Sequence, residues 1–242
     1  MILNKIFRVI PDSAYSIFYK PAFRYSFYFA KLHDCIAYSD REQMLKIATE
    51  FTMFSQIEGD YLEFGVYEGE LFAAAYHLAQ MFGLTSMRFY AFDSFEGLPD
   101  IQGVDAEGFR HFSKGEFACD QKTFRRNLLR KKVDLRKVST IPGWYNEVLT
   151  DKTKNTLPLK KAALVYIDCD LYESVVPVLN FIVDYLQTGT IIMFDDWFCF
   201  KGDPERGEQR AFAEWLNENP NITAVQYQKF GWQGNSFILK CS

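Results

Sequence analysis

The sequence has few cysteines, and none of them lies in a metal-binding or redox motif. The five cysteines stand at positions 35, 119, 169, 199 and 241, so no two of them form a C-x-x-C pair. An odd number of cysteines at such wide spacing is not typical of a disulfide framework or a zinc ribbon. Because no secretory signal is visible near the N-terminus, we expect reduced thiols and a cytoplasmic location.

The sequence also lacks a long apolar run and an excess of positive charge. The notable uncharged stretch at residues 71–87 is interrupted by His77, Gln80 and Gly83. It falls short of the roughly 20 apolar residues that a membrane helix requires, so we expect no membrane span. With 27 basic and 31 acidic residues the net charge is −4, which does not favour binding of duplex nucleic acid.

The composition of the chain is that of a globular protein. Of 242 residues, 48% are hydrophobic and 24% are charged, which suits one α/β domain with an appended segment. The first 30 residues are rich in aromatic side chains and show no clean period. After Asp40 a helical stripe begins, formed by Met44, Ile47, Ala48, Phe51 and Phe54. We expect residues 1–55 to be a helical extension and residues 56–242 to be the main domain.

The extension has three interpretations at this stage. Its aromatic side chains could simply be core, or they could form a lid over a site or a contact between two copies of the chain. A homo-oligomer therefore remains open.

From residue 60 onward the pattern alternates between apolar strands and helices. The predicted strands are 61–64, 89–92, 138–141, 162–167, 190–194, 223–228 and 236–240, and the predicted helices are 71–82, 123–132, 174–186 and 208–216. Such alternation indicates an α/β fold with a doubly wound parallel sheet, here closed by a C-terminal antiparallel hairpin. Ligands bind to such sheets beyond the carboxyl ends of the strands.

The first strand ends in a glycine-containing turn. Glu63, Gly65 and Gly69 give the spacing E-x-G-x-x-x-G before a helix, and the dinucleotide pattern G-x-G-x-x-G is absent. Glu63 would repel a pyrophosphate but would suit a ligand with an ammonium group, such as the amino-acid part of S-adenosylmethionine. A plain glycine turn is the alternative interpretation.

An acidic residue follows the second strand. Asp93 lies 28 residues beyond Gly65, and an acid at this position can accept hydrogen bonds from both hydroxyls of a ribose. Asp93 could instead be the N-cap of a helix.

Four aspartates follow two later strands. Asp168 and Asp170 come after the strand at 162–167, and residues two apart in extended backbone point to the same side. Asp195 and Asp196 follow the next strand. If these strands are neighbours, the four carboxylates share one edge of the sheet, where their repulsion favours binding of a hard divalent cation. The alternative is that they cap the helices that follow.

With these strand ends in view, the sequence resembles the macrocin O-methyltransferase (TylF-like) family of class I S-adenosylmethionine-dependent enzymes. The matching strings are E-F-G-V-Y-E-G at 63–69, F-D-S-F-E-G-L-P at 92–99, K-G-E-F at 114–117, P-G-W-Y at 142–145, D-C-D-L-Y-E-S at 168–174 and F-D-D-W at 194–197. The resemblance implies a Rossmann-like seven-stranded sheet and Mg²⁺-dependent methylation of a sugar hydroxyl on a glycosylated small molecule.

The resemblance also implies roles for individual residues. It implies that Asp168, Asp195 and Asp196 are the metal ligands and that Asp170 is the general base. The residues implied to bind the cofactor are Glu63, Phe64, Gly65, Val66, Tyr67, Gly69, Asp93 and Ser94.

Two other functions remain open on the sequence alone. A metal-dependent hydrolase or phosphotransferase would use the same aspartates but would leave Glu63, Gly65 and Asp93 unexplained. The other is a non-catalytic nucleotide-binding module.

The sequence does not specify the acceptor of a methyltransferase, since sugar, glycolipid and phenolic hydroxyls all suit this chemistry. We expect residues 100–115 and the N-terminal segment to shape the acceptor pocket.

Overall fold

A single sheet organises the described part of the chain, which in this computed structural model comprises residues 39–101, 103–106 and 112–242. Its seven strands are β1 (Asp60–Phe64), β2 (Phe89–Asp93), β3 (Val138–Pro142), β4 (Ala162–Ile167), β5 (Ile191–Phe194), β6 (Ile222–Phe230) and β7 (Gly234–Cys241). Their order is β3-β2-β1-β4-β5-β7-β6. Strands β1 to β5 are parallel, whereas β7 runs antiparallel to β5 and β6. The predicted doubly wound sheet with a C-terminal hairpin is therefore confirmed.

Helices cover both faces of this sheet. They are α1 (Asp40–Phe54), α2 (Glu70–Met81), α3 (Gln121–Arg130), α4 (Tyr145–Val148), α5 (Asp151–Thr156), α6 (Tyr172–Ile182) and α7 (Gly207–Glu218). Short 3₁₀ turns are formed by Gly103–Asp105, Leu135–Lys137, Val183–Tyr185 and Phe200–Gly202.

The strands form because their residues are apolar without interruption, as strands buried on both faces require. All six residues of β4 are buried. Successive side chains of a strand point to opposite faces, so Tyr61 of β1 joins one core cluster and Leu62 joins the other. Helix α1 belongs to the first cluster through Met44, Leu45 and Ala48.

The helix predicted at 174–186 differs from the observed one. Helix α6 begins at Tyr172 and ends at Ile182, and a 3₁₀ turn follows it. The predicted start at Ser174 would place Pro177 in the first turn, where proline is tolerated, but Pro177 is the sixth residue of the observed helix, so that placement is wrong. The helix begins early because the Asp105 carboxylate accepts hydrogen bonds from the backbone N–H groups of Tyr172 and Glu173.

The predicted N-terminal extension falls mostly outside the described residues. Only residues 39–55 of it are described, and α1 confirms the helix expected there. The division of the chain near residue 55 stays a prediction. No helix of the described residues is long and apolar enough to cross a membrane.

The order of the strands places the candidate site. The order reverses between β1 and β4, which creates a crevice beyond their carboxyl ends. Phe64 of β1 pairs with Phe92 of β2 and with Ile167 of β4, and Ile167 pairs with Phe194 of β5. The residues that follow these four strands therefore lie along one edge of the sheet.

Candidate active site

A large cavity opens at this edge of the sheet. Its volume is ≈ 1030 Å³, at the upper end of the range for ligand pockets. From the ends of β1 and β2 its wall includes Gly65, Tyr67, Asp93 and Ser94, and from the ends of β4 and β5 it includes Asp168, Asp170 and Asp196. The predicted residues Glu63, Phe64, Val66 and Gly69 do not contribute to the wall.

The two glycines of the turn after β1 allow close packing within the protein. Gly65 has φ +85°, and a Cβ there would lie 1.9 Å from the backbone oxygen of Asp168. A Cβ on Gly69, which has φ +82°, would lie 2.8 Å from the ring of Phe124 on α3. The family resemblance implies that both glycines bind the cofactor, whereas their nearest neighbours here are other parts of the chain. Gly65 nevertheless faces the cavity.

Asp93 holds this turn against β2. Its Oδ2 accepts hydrogen bonds from the N–H groups of Val66 (2.8 Å) and Tyr67 (3.3 Å), and its Oδ1 accepts one from Phe95 (2.7 Å). Burial raises the pKa of Asp93, and these backbone hydrogen bonds oppose that effect. An ionised carboxylate offers about four acceptor positions, so about one remains for a ligand hydroxyl.

Ser94 continues the same turn and also lines the cavity. Its hydroxyl donates to the carbonyl of Gly97 (2.9 Å) and accepts from the N–H of Glu96 (3.0 Å). The side chain therefore has both a donor and an acceptor partner within the turn. Because its hydroxyl is already hydrogen-bonded, Ser94 offers a ligand packing contacts rather than a free hydroxyl.

Glu63 is buried directly behind the cavity wall. Only 2% of its surface is exposed, and the Tyr61 hydroxyl donates a hydrogen bond to Oε2. Burial raises the pKa of Glu63 to about 8, and the charge of Asp93 contributes in the same direction. A buried carboxyl without a paired cation carries a large free-energy cost when it is ionised.

The structure brings Asp168, Asp195 and Asp196 together. Each of the three offers a carboxylate oxygen, and these oxygens lie within 4.8 Å of one another. The fully buried Asp195 accepts hydrogen bonds from the Tyr166 hydroxyl at Oδ1 and from Arg41 at Oδ2. Burial raises the pKa of Asp195 to about 6, with the charge of Asp196 acting in the same direction.

Asp196 is buried with one oxygen unsatisfied. Its backbone N–H donates to Oε2 of Glu208 (3.0 Å), and the Cys199 thiol donates to its Oδ1 (3.2 Å). Its Oδ2 has no conventional donor among the described residues, and the neighbour that reaches Asp196 is another acid, Asp170, which can donate only when one of the two carboxyls is protonated. A buried acceptor of this kind costs about 1–3 kcal/mol unless a donor or a cation reaches it.

Asp170 reaches the cluster by a different geometry from the predicted one. The strand ends at Ile167, and Asp170 has φ +62°, so the argument from alternation in extended backbone is wrong. The carboxyl group nevertheless lies beside Asp196 in a buried position. Burial and the charge of Asp196 raise the pKa of Asp170 well above its usual range.

The donor set of this cluster fits a hard divalent cation. Burial and the neighbouring carboxylates also raise the pKa of Asp168 well above its usual range, so the negative charges are incompletely balanced. All the available ligand atoms are oxygens, which favours Mg²⁺ over zinc. The unsatisfied Oδ2 of Asp196 marks an oxygen that such an ion can bind.

Several residues that contact the site were not predicted, among them three charged ones. Arg41 lies in the segment assigned to the extension, Glu208 in the first turn of α7, and Asp105 in the loop after β2. Of these three, only Asp105 lies in a segment, residues 100–115, that was expected to shape the pocket, and it does line the cavity. The contact between Arg41 and Asp195 joins residues 154 positions apart, which no local pattern encodes.

Comparison with known proteins identifies a matching family model and several curated relatives. The family model for macrocin-O-methyltransferase (TylF) matches residues 33–225. A curated relative from Streptomyces olivaceus, 8-demethyl-8-(2,3-dimethoxy-alpha-L-rhamnosyl)-tetracenomycin-C 4'-O-methyltransferase, is 28% identical over 157 residues, or 63% of this chain and 58% of the relative. The chain spans about three fifths of the length of the curated relatives it matches.

Solved structures share the fold. The O-methyltransferase NovP superimposes with a TM-score of 0.69 at 21% identity, covering 84% of this chain and 80% of NovP. The O-methyltransferase TomG from Streptomyces achromogenes, solved in complex with SAM, gives a TM-score of 0.55 at 14% identity, covering 83% of this chain and 80% of TomG.

Proposed function

Because the chain belongs to the macrocin O-methyltransferase (TylF) family, we propose that it transfers a methyl group from S-adenosylmethionine to a hydroxyl, with Mg²⁺ as a second cofactor. The acceptor we propose is a sugar hydroxyl on a glycosylated small molecule. The tetracenomycin relative acts, by its name, on such a glycoside. The observation that carries the proposal is that one cavity is lined both by Asp168 and Asp196 of the three-aspartate cluster and by the turn after β1.

The residues at the ends of β1 and β2 fit the cofactor. When bound, S-adenosylmethionine supplies a methyl group on a positively charged sulfonium. Gly65 and Tyr67, in the turn after β1, form part of the cavity wall. Asp93 has about one hydrogen-bond acceptor position left for a ribose hydroxyl. Glu63 places a buried carboxyl behind that wall, where the ligand's ammonium group would favour its ionised form.

The residues at the ends of β4 and β5 fit the metal and the proton transfer. Asp168, Asp195 and Asp196 would hold a divalent cation, which when bound supplies the positive charge that acidifies an acceptor hydroxyl. Asp170 lines the same cavity beside the cluster, and once a bound cation offsets the neighbouring negative charges its carboxylate would accept the hydroxyl proton. Holding the acceptor oxygen in line with the methyl carbon would supply much of the remaining rate.

A ligand screen tests the cofactor. We expect S-adenosylhomocysteine to raise the melting temperature, and nucleotides and sugar phosphates to have little effect. Calorimetry on Asp93→Ala should show weaker binding of S-adenosylhomocysteine, because a ribose hydrogen bond to a charged acceptor is lost. Asp100→Ala is the control, because Asp100 also lines the cavity but is half-exposed and paired with Lys114 (2.6 Å). Equal affinity in the wild type and in Asp93→Ala would exclude Asp93 from the cofactor site.

A chelation experiment tests the metal. Methyl transfer from labelled S-adenosylmethionine to a panel of glycosides should stop in EDTA and return when Mg²⁺ is added in excess. Full turnover after exhaustive chelation would remove the metal from the reaction. In the ligand screen, a larger rise in melting temperature with nucleotides or sugar phosphates than with S-adenosylhomocysteine would instead favour a hydrolase or phosphotransferase.

A further inference from the structure

A positively charged side chain lies against the aspartate cluster. Arg41, in the first turn of α1, donates through Nη2 to Oδ2 of Asp195, and its Nη1 lies 3.8 Å from Oδ2 of Asp168. The Arg41 side chain is 45% exposed and lines the cavity, whereas the Asp195 side chain is 1% exposed. The guanidinium therefore approaches the buried carboxylates from the open side of the site.

The partners of Asp195 determine which of its oxygens a metal ion can use. The Tyr166 hydroxyl, which is fully buried, donates to Oδ1, and leaving it would cost the hydroxyl its hydrogen bond within the described part of the chain. On Oδ2 the donors are Arg41 and Gln233, and the latter is distant at 3.4 Å. Oδ2 is therefore the oxygen whose principal donor, the partly exposed Arg41 side chain, a cation can displace.

We propose that Arg41 is an internal counter-ion of the metal site, which balances the aspartates when the metal is absent and gives up Asp195 Oδ2 when a divalent cation binds. The inference rests on the metal site of the proposed function. Two cations that compete for one oxygen oppose each other's binding, so Arg41 lowers the affinity for Mg²⁺ and keeps the empty site folded. Its long and partly exposed side chain can move into the cavity without disturbing the core.

A positioning role for Arg41 predicts the opposite result. If Arg41 mainly orients Asp195 as a ligand, its removal disorders that ligand and weakens metal binding. The sign of the change in affinity therefore separates the two roles.

Calorimetric titration with Mg²⁺ alone tests the proposal on the full chain. Arg41→Gln should bind Mg²⁺ about tenfold more tightly than the wild type, because one unit of positive charge is removed beside the ion. Arg41→Lys keeps the charge and should stay near the wild type. The remote control is Arg125→Gln on α3, where the arginine donates a hydrogen bond to the Thr140 hydroxyl (3.4 Å) and does not line the cavity. It should leave the affinity unchanged.

Thermal unfolding provides the second readout. Without metal, Arg41→Gln should melt below the wild type, and saturating Mg²⁺ should raise its melting temperature by more than it raises that of the wild type. If Arg41→Gln fails to fold, Arg41→Met with Mg²⁺ present during refolding gives the same comparison. Equal or weaker Mg²⁺ binding by Arg41→Gln overturns the counter-ion role while leaving the metal site intact. Absence of Mg²⁺ binding by every protein, including the wild type, overturns both proposals.

Discussion

Asp170 has a left-handed backbone, which places its carboxyl beside Asp196 rather than along the line of β4. Asn adopts this conformation more readily than most residues, so Asp170→Asn removes the basic oxygen with little added strain. We expect kcat to fall by about 10²–10⁴, the usual range for loss of a general base, while Mg²⁺ and S-adenosylhomocysteine bind nearly normally. Steady-state kinetics and calorimetry on one preparation provide the comparison.

Two other results are informative for this variant. If Asp170→Asn loses Mg²⁺ affinity but keeps turnover at saturating Mg²⁺, Asp170 is a metal ligand and the base lies elsewhere. If only the melting temperature falls, the residue has a purely structural role. Asp151→Asn is the control, because the Asp151 side chain is 95% exposed and does not line the cavity, and it should leave kcat unchanged.

Glu63 gives a prediction about pH. Its pKa is raised to about 8 in the folded protein from a usual value of 4.5, so the folded state holds a proton that the unfolded state releases. Stability is therefore lost as the pH rises through this window. Glu63→Gln should be more stable than the wild type at pH 8, by an amount on the order of 1–4 kcal/mol, and nearly equal to it at pH 4.5.

Urea unfolding at the two pH values measures this difference. Glu96→Gln is the control, because the exposed Glu96 should change the stability by less than about 0.5 kcal/mol at either pH. The Glu63→Gln variant should also bind S-adenosylhomocysteine more weakly if Glu63 pairs with its ammonium group. A stability difference that is independent of pH would contradict the buried, protonated state.

At the scale of elements, hydrogen bonds to one carboxylate connect the loop after β2 to the start of α6. Asp105 is buried and accepts the N–H groups of Tyr172 (2.9 Å) and Glu173 (3.1 Å), only two and three residues beyond Asp170. Asp105→Ala should destabilise the protein by about 0.5–2 kcal/mol, as loss of an N-cap does, and should lower kcat because Asp170 loses its support.

A second helix cap makes a matched control. Asp120 caps α3 by accepting the N–H of Thr123 at 3.0 Å, and it does not line the cavity. Asp120→Ala should cost a similar amount of stability with kcat unchanged. Equal kcat in the two variants would show that the Asp105 contact does not position the site.

The sequence predicts the elements whose patterns are strong and misses those set by distant contacts. Strand β4 was predicted at its observed bounds because its apolar run is continuous. Helix α4, with four residues, is too short to show a period, and the early start of α6 depends on Asp105, 67 positions away from Tyr172. The predicted aspartates are brought together, but the ion pair with Arg41 depends on the tertiary fold.

At the scale of the whole molecule, the aspartate cluster joins distant parts of the chain. Asp168 follows β4, Asp195 and Asp196 follow β5, and Arg41 comes from α1 before the sheet begins. An ion held by this cluster can bind only where these elements have assembled. Binding of Mg²⁺ should therefore stabilise the native state against global unfolding.

The same cluster fixes how that stabilisation depends on pH. The pKa of Asp195 is raised to about 6 by burial and Asp196, and those of Asp168 and Asp170 are raised well above the usual 3.8. Without metal, the folded protein then holds more protons than the unfolded chain above about pH 4, so its stability should fall as the pH rises towards 8.

Mg²⁺ binds the ionised carboxylates, so its stabilising effect should be larger at pH 8 than at pH 5. At a Mg²⁺ concentration of a hundred times the Kd the effect reaches about 2.7 kcal/mol. Urea unfolding at both pH values, with and without Mg²⁺, measures this difference, and Asp196→Asn should reduce the response to Mg²⁺. An equal effect of Mg²⁺ at pH 5 and pH 8 would mean that the ion binds elsewhere on the protein.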